Sequence, residues 1–223
     1  MRKGAFIVFE GPEGAGKSTR AHVLAGALRA RGYEVVLTRE PGGTPLGERV
    51  RALLLKPDGR AILPQTEALL FAAARAEHVG TVIRPALERG AVVLCDRFVD
   101  SSLAYQAGGL GLPIDEVRAI QHLAVDEIEP DLRILLDLPV ERGLARRWEA
   151  GEGLNRVDLA DVAFHERVRR AYHALARERP DAWAIVNADR STAAVDRDVA
   201  NAALPLVERL APHPAAAVHE RTE

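Results

Sequence analysis

Short apolar runs separated by longer stretches of helical spacing dominate the chain. Five runs (5–10, 34–38, 91–95, 132–138 and 183–187) are nearly continuous in Val, Ile, Leu, Phe and Ala rather than alternating with polar residues. Such runs predict strands of a parallel sheet covered on both faces. Between them, helical periodicity predicts helices over 18–31, 46–55, 66–89, 114–128, 140–148, 159–179 and 192–210. Gly32 follows the first of these, where a left-handed residue closes a helix. The long helix over 66–89 is expected to bend near Gly80 or Pro85, because proline removes a backbone donor. Strand and helix in alternation predict a doubly wound α/β fold with right-handed crossovers, a five-stranded parallel sheet between two helical layers. Residues 1–210 read as one domain and 211–223 as a flexible tail. The polar, glycine-bearing segment 149–155 lies between two arginine-rich helices and reads as a mobile lid spanning about 147–157.

Composition narrows the possibilities. The 223 residues are 48% hydrophobic and 28% charged, with a formal net charge of −2. That balance supports a sizeable core and argues against general disorder. It leaves no cationic excess for coating a nucleic-acid backbone, so no nucleic-acid partner is expected. The longest unbroken apolar run, 68–74, falls far short of the roughly 20 residues that span a bilayer, so no membrane partner is expected either. The first apolar stretch ends in Glu10 and a glycine loop without a small-residue cleavage site, which reads as a first strand rather than a secretion signal. A single cysteine, Cys95, excludes an internal disulfide and a cysteine-based zinc site, and a cytoplasmic location is expected. Lysine occurs only at 3, 17 and 56 in an otherwise arginine-based cation set, which makes Lys17 conspicuous.

Lys17 belongs to the segment Gly11-Pro12-Glu13-Gly14-Ala15-Gly16-Lys17-Ser18, which fits Gly-x-x-x-x-Gly-Lys-Ser/Thr between a strand and a helix. Its glycines let successive N–H groups converge on phosphate oxygens at a helix start. Lys17 is expected to reach the β- and γ-phosphates and Ser18 to help hold Mg²⁺. Residues 11–18 with Thr19 are the expected ATP site. The motif alone leaves the subsequent reaction open. Asp96 and Arg97 end the 91–95 strand and should lie beside this loop, the first suited to ordering metal-bound water and the second to forking onto a phosphate. The segment 38–44 (Thr-Arg-Glu-Pro-Gly-Gly-Thr) ends another strand on the same edge, with Glu40-Pro41 a candidate cis peptide. Phe71 and Arg75 share a helix face, an aromatic plane beside a guanidinium that suits a flat heterocycle carrying a carbonyl. Arg142, Arg146, Arg147 and Arg156 surround the lid, where they can neutralise charge between donor and acceptor phosphates. The guanine motif of GTPase switches and the signature of ABC-type ATPases are both absent.

These phrases, together with Asp-Arg-Phe-x-x-Ser-Ser-x-Ala-Tyr-Gln at 96–106, resemble the bacterial thymidylate kinase family over about 5–189. The resemblance implies a P-loop nucleoside monophosphate kinase-like fold, the reaction ATP + dTMP → ADP + dTDP, Mg²⁺ and a homodimer. It implies that Glu13 meets the 3′-hydroxyl of dTMP, that Phe71 stacks on thymine and that Arg75 meets its O4. Ser102 would address the base edge, Tyr105 would crowd the 2′ position, and Gln106 would lie beside the nucleoside. Arg97 would bind the acceptor phosphate with Arg51, Glu40 and Pro41, and Asp96 would organise metal-bound water. Gly14 stands where another subgroup has arginine, which assigns the catalytic arginine to the lid, to Arg147 and Arg156. Two positions depart from the family pattern: Phe98, where Tyr or His is usual, and Asn155, where Asp is usual.

Overall fold

The computed structural model of the chain describes residues 4–56, 62–151 and 153–211. Positions 212–223 of the expected tail and position 152 of the expected lid lie outside the described residues. All five expected strands form: β1 (Phe6–Glu10), β2 (Val35–Arg39), β3 (Val92–Asp96), β4 (Leu132–Asp137) and β5 (Trp183–Asn187). They pair in parallel in the order β2-β3-β1-β4-β5. The central strand β1 is followed by strands on one side and then on the other, so the crevice beyond its carboxyl end is a topological switch point.

Successive side chains of β1 enter two cores. Ile7 and Phe9 join Leu94, Ile134 and Leu136 beneath Leu24, Leu28, Val199 and Val207. Phe6 and Val8 join Val93, Cys95, Ile83, Leu87 and Phe98 on the opposite face. Burial on both faces is what the unbroken apolar runs of β1, β3 and β4 reflect. The edge strands β2 and β5 depart from that expectation and are only partly buried, because each has a neighbour on one side only.

The helices are α1 (Lys17–Ala30), α2 (Pro45–Leu55), α3 (Pro64–His78), α4 (Arg84–Glu88), α5 (Val99–Ser102), α6 (Ile114–Val125), α7 (Val140–Glu149), α8 (Val162–Glu178) and α9 (Thr192–Leu210). The expected long helix is α3 and α4 joined by a π-helical turn, Val79–Ile83, where the Arg84 N–H bonds to the Val79 carbonyl. Pro85 cannot donate to the carbonyl four residues earlier, and the ladder opens just before it. The stretch from α5 through a second π-helical turn, Leu103–Gly109, is absent from the periodicity-based reading. Leu103, Ala104, Tyr105 and Gln106 are all buried, so no polar face marks it as a helix.

Candidate active site: a phosphate loop beside a nucleoside cavity

The loop from β1 to α1 turns on Gly11, Gly14 and Gly16, whose φ values of 138°, 70° and 86° are left-handed conformations that favour glycine. At Gly14 space is also restricted, since a Cβ would lie 2.1 Å from the Gly143 carbonyl oxygen on α7. Lys17 curls over the loop, its Nζ donating to the carbonyls of Gly11 (3.0 Å) and Pro12 (2.7 Å). Burial, reinforced by Arg97, pushes its ammonium down to about 8 against the opposing pull of Glu13, Asp96 and Glu10. The Ser18 hydroxyl donates to Asp96.

Two strand-end loops close on this one. The Glu40 N–H bonds to the Asp96 carbonyl (2.9 Å), and the Arg97 N–H to the Phe9 carbonyl (2.9 Å). The Glu40-Pro41 peptide is cis. Arg97 adopts φ 70° and donates through Nη2 to Glu13 (2.8 Å) and through Nη1 to the Gly11 carbonyl, Ser101 Oγ and Tyr172 Oη. Its guanidinium carbon lies 4.9 Å from the Tyr105 ring centroid, and the Tyr105 hydroxyl donates to Glu13 at 2.8 Å. Burial alone would raise the Glu13 carboxyl. Arg97 above all, then Lys17 and Tyr105, outweigh it and hold Glu13 at about 2.

A cavity of about 110 Å³ opens beside this cluster. Every expected substrate residue lines it: Glu13, Glu40, Pro41, Arg51, Phe71, Arg75, Arg97, Ser102, Tyr105 and Gln106. Arg75 is buried in its wall and donates to Glu40 (2.6 Å), Ser102 Oγ (3.0 Å), the Phe98 carbonyl (2.8 Å) and Gln121. Ser102 thus holds Arg75 as well as lining the cavity. Arg51 Nη1 donates to the Pro41 carbonyl (3.0 Å) and Gln106 Nε2 to Glu67 (2.9 Å). Phe98 is fully buried, packed edge-on against Phe6 with Arg75 over its ring. A polar tip in its place would need a partner in that core.

A larger cavity, about 1020 Å³, adjoins the first and is lined by Gly14, Gly16, Lys17, Ser18, Thr19, Asp96, Arg146 and Arg147 among others. Glu13, Arg51 and Arg97 line both. Arg147 reaches this cavity while bonded through Nε and Nη2 to the buried Asp158 (3.1 and 2.9 Å). Arg156 is not brought to it. Its guanidinium bonds to the Leu54 carbonyl (3.1 Å) and to the buried carboxylate of Glu67, which lines a different cavity together with Phe71. Arg142 pairs with Asp189 at 3.0 Å. Asn155 Oδ1 accepts from the N–H groups of Val157 (2.8 Å) and Asp158 (3.2 Å), bonds an aspartate oxygen would make equally well.

The sequence reading missed Glu10, Ser101, Tyr172 and Glu67. Glu10 is fully buried, yet only its position as a carboxylate ending a buried strand marked it in advance. No group of three or more His, Cys, Asp or Glu side chains among the described residues is placed to hold a metal by itself. No helix among them is long and apolar enough to cross a membrane.

The family model for thymidylate kinase matches residues 9–199. A thymidylate kinase from Thermomicrobium roseum is 57% identical over 183 residues, covering 82% of this chain and 86% of the relative. One from Pseudomonas putida GB-1 is 52% identical over 207 residues, covering 92% and 98%. The crystal structure of thymidylate kinase from Ehrlichia chaffeensis superposes with a TM-score of 0.69 at 34% identity, covering 82% of this chain and 92% of that one.

Proposed function

The chain belongs to the thymidylate kinase family, enzymes that phosphorylate dTMP to dTDP with ATP, and we propose that it does so by holding the two nucleotides head to head where its two cavities meet. The observation that carries this reading is Arg97, which lines both cavities. The triphosphate lies along the loop N–H groups with Lys17 swung from the loop carbonyls onto the β- and γ-phosphates. Thymine lies against Phe71 with its O4 toward Arg75, Tyr105 excludes a 2′-hydroxyl, Gln106 flanks the nucleoside and Glu13 takes the 3′-hydroxyl. Arg97 and Arg51, with the Glu40-Pro41 loop, bind the acceptor phosphate. An oxygen of that phosphate attacks the γ-phosphorus as the bond to the β–γ bridging oxygen breaks. No strong base is needed, because the acceptor is already largely ionised.

The residues present fit Mg²⁺. Ser18 and Asp96 put two hard oxygen donors together at the wall of the phosphate cavity, and Mg²⁺ takes one or two such ligands, keeping waters and phosphate oxygens for the rest. When bound it neutralises charge on the β- and γ-phosphates. Arg147, the lid arginine that faces this cavity, screens the transferring group, and the lid excludes water from it. The enzyme works as a homodimer in the cytoplasm, where its lone buried thiol stays reduced.

A coupled assay of ADP release tests the reading. Release is expected only with an acceptor, fastest with dTMP among dTMP, dUMP, dCMP, dGMP and thymidine. Lys17→Ala, which removes the phosphate-reaching cation, is expected to lower the rate by about a hundredfold or more in a folded protein. Equal ADP release with and without dTMP would instead indicate a nucleotide-hydrolysing switch.

A further inference from the structure

Glu10 is the one fully buried carboxylate at the end of the central strand, and its surroundings are built to receive it. Its Oε1 accepts from the N–H groups of Phe98 (2.9 Å) and Ser101 (3.3 Å). Its Oε2 lies 2.6 Å from Ser101 Oγ and 2.9 Å from Tyr172 Oη, which are 2.8 Å from each other. Three oxygens thus form a closed triangle. Arg97 Nη1 donates to both hydroxyls of that triangle, at 3.2 and 3.1 Å. Since a guanidinium can only donate, both hydroxyl protons must stay within the triangle. With Glu10 ionised there are two protons for three edges. With Glu10 protonated there are three, and every edge carries a hydrogen bond. The geometry therefore accommodates either state of the carboxyl without moving a heavy atom.

We propose that Glu10 is a positioning residue for Arg97, aiming its guanidinium at the acceptor phosphate through the Ser101 and Tyr172 hydroxyls, and that it takes up a proton from solvent when that phosphate binds. The inference rests on the reading of Arg97 as the phosphate-binding arginine. With Nη1 held by the triangle and Nη2 on Glu13, the guanidinium of Arg97 is fixed where it lines both cavities, in reach of a phosphate bound between them. The charged and titratable groups around Glu10 are Arg97, Asp100 with its partner Arg133, Tyr172, Lys17 and Cys95. Burial first, then Asp100, pushes the Glu10 carboxyl up to about 7, with Ser101, Arg97 and Phe98 opposing. A phosphate dianion on Arg97 cancels the arginine's pull on Glu10, which favours the protonated triangle.

Glu10→Gln keeps the volume but replaces an acceptor by an amide N–H that competes with Arg97 for the two hydroxyls. It is expected to raise KM for dTMP about tenfold while KM for ATP stays within about twofold. Calorimetry of dTMP binding at pH 8, in two buffers of different ionisation enthalpy, reads the linked proton. At that pH the dTMP phosphate is already a dianion. Because Glu10 also helps to keep Lys17 charged, the comparison is repeated with Lys17→Ala in both proteins, where the difference must persist. Wild-type protein is expected to take up more protons than Glu10→Gln. Equal proton numbers, or an unchanged KM for dTMP in Glu10→Gln, would overturn the inference. Arg97→Ala separates it from its premise, because an unchanged KM for dTMP there overturns the reading of Arg97 itself. If Glu10→Gln melts too low to assay, Tyr172→Phe removes a single hydroxyl. A smaller rise of KM for dTMP with reduced proton uptake then supports the inference, and wild-type values of both overturn it.

Discussion

Arg147 and Arg156 flank the segment proposed as a lid and end on different carboxylates, and we divide their work accordingly. Arg147 is paired with Asp158 on the wall of the phosphate cavity, whereas Arg156 is paired with Glu67, which also holds Gln106 in the nucleoside cavity. Arg147→Ala is therefore expected to lower kcat by about a hundredfold or more with little change in KM for dTMP, as for loss of a group that meets charge in the transition state. Arg156→Ala should act less on kcat and more on KM for dTMP, through Glu67 and Gln106. Steady-state kinetics of the two variants decides the assignment, and the reverse pattern would refute it. Individual cations and carboxylates were legible in the sequence wherever a local motif fixed their backbone, as at Lys17, Ser18, Asp96 and Arg97. The partner that finally receives a long side chain was not legible. Arg156 and Glu67 are 89 positions apart, and Glu10 and Tyr172 are 162 apart. Only the fold brings such pairs together.

At the level of elements, the phosphate loop and α7 meet backbone to backbone. A Cβ at Gly143 would lie 2.2 Å from the Glu13 carbonyl oxygen, and one at Gly14 would lie 2.1 Å from the Gly143 carbonyl oxygen. Neither neighbour is a side chain that can swing aside. This contact gives a physical reason why a side chain at position 14 is not accommodated here, which is in keeping with the proposed assignment of the catalytic arginine to the lid. Gly143→Ala is expected to cost about 1–3 kcal/mol, as for overpacking, and to displace α7 from the loop, lowering turnover along with stability. Thermal melting and kcat measured together check it, and an alanine variant with wild-type values for both would show that the contact relaxes freely. The five strands were visible as short unbroken apolar runs, and every α-helix given except α5, with the bend before Pro85, as the helical spacing that one-sided burial imposes. The segment from α5 to Gly109 was not, because burial on all sides erases that period.

At the scale of the whole molecule, apolar side chains are left uncovered in several places, and three of them lie on neighbouring helices. α3 packs against both α2 and α6, and these elements expose Leu53, Leu69 and Leu123 at 64%, 56% and 85%. Single exposed leucines are ordinary, but three on adjoining helices of one layer provide the kind of patch that a second copy covers. The same helices carry site residues on their other sides: Arg51 on α2, and Phe71 and Arg75 on α3. An isologous contact there would brace the nucleoside cavity from behind without entering it. The double variant Leu69→Glu, Leu123→Glu places charges in that contact, and burying each unpaired carboxylate would cost several kcal/mol, enough to separate the subunits. Sedimentation equilibrium is expected to show a dimer for the wild-type chain and a monomer for the variant. KM for dTMP should rise in the monomer as α2 and α3 lose their support, while the ATP loop, anchored on β1 and α1 at the far side of the site, keeps its affinity. A variant that stays dimeric would place the interface elsewhere, and a monomer with unchanged KM for dTMP would show that the cavity is held by its own chain alone.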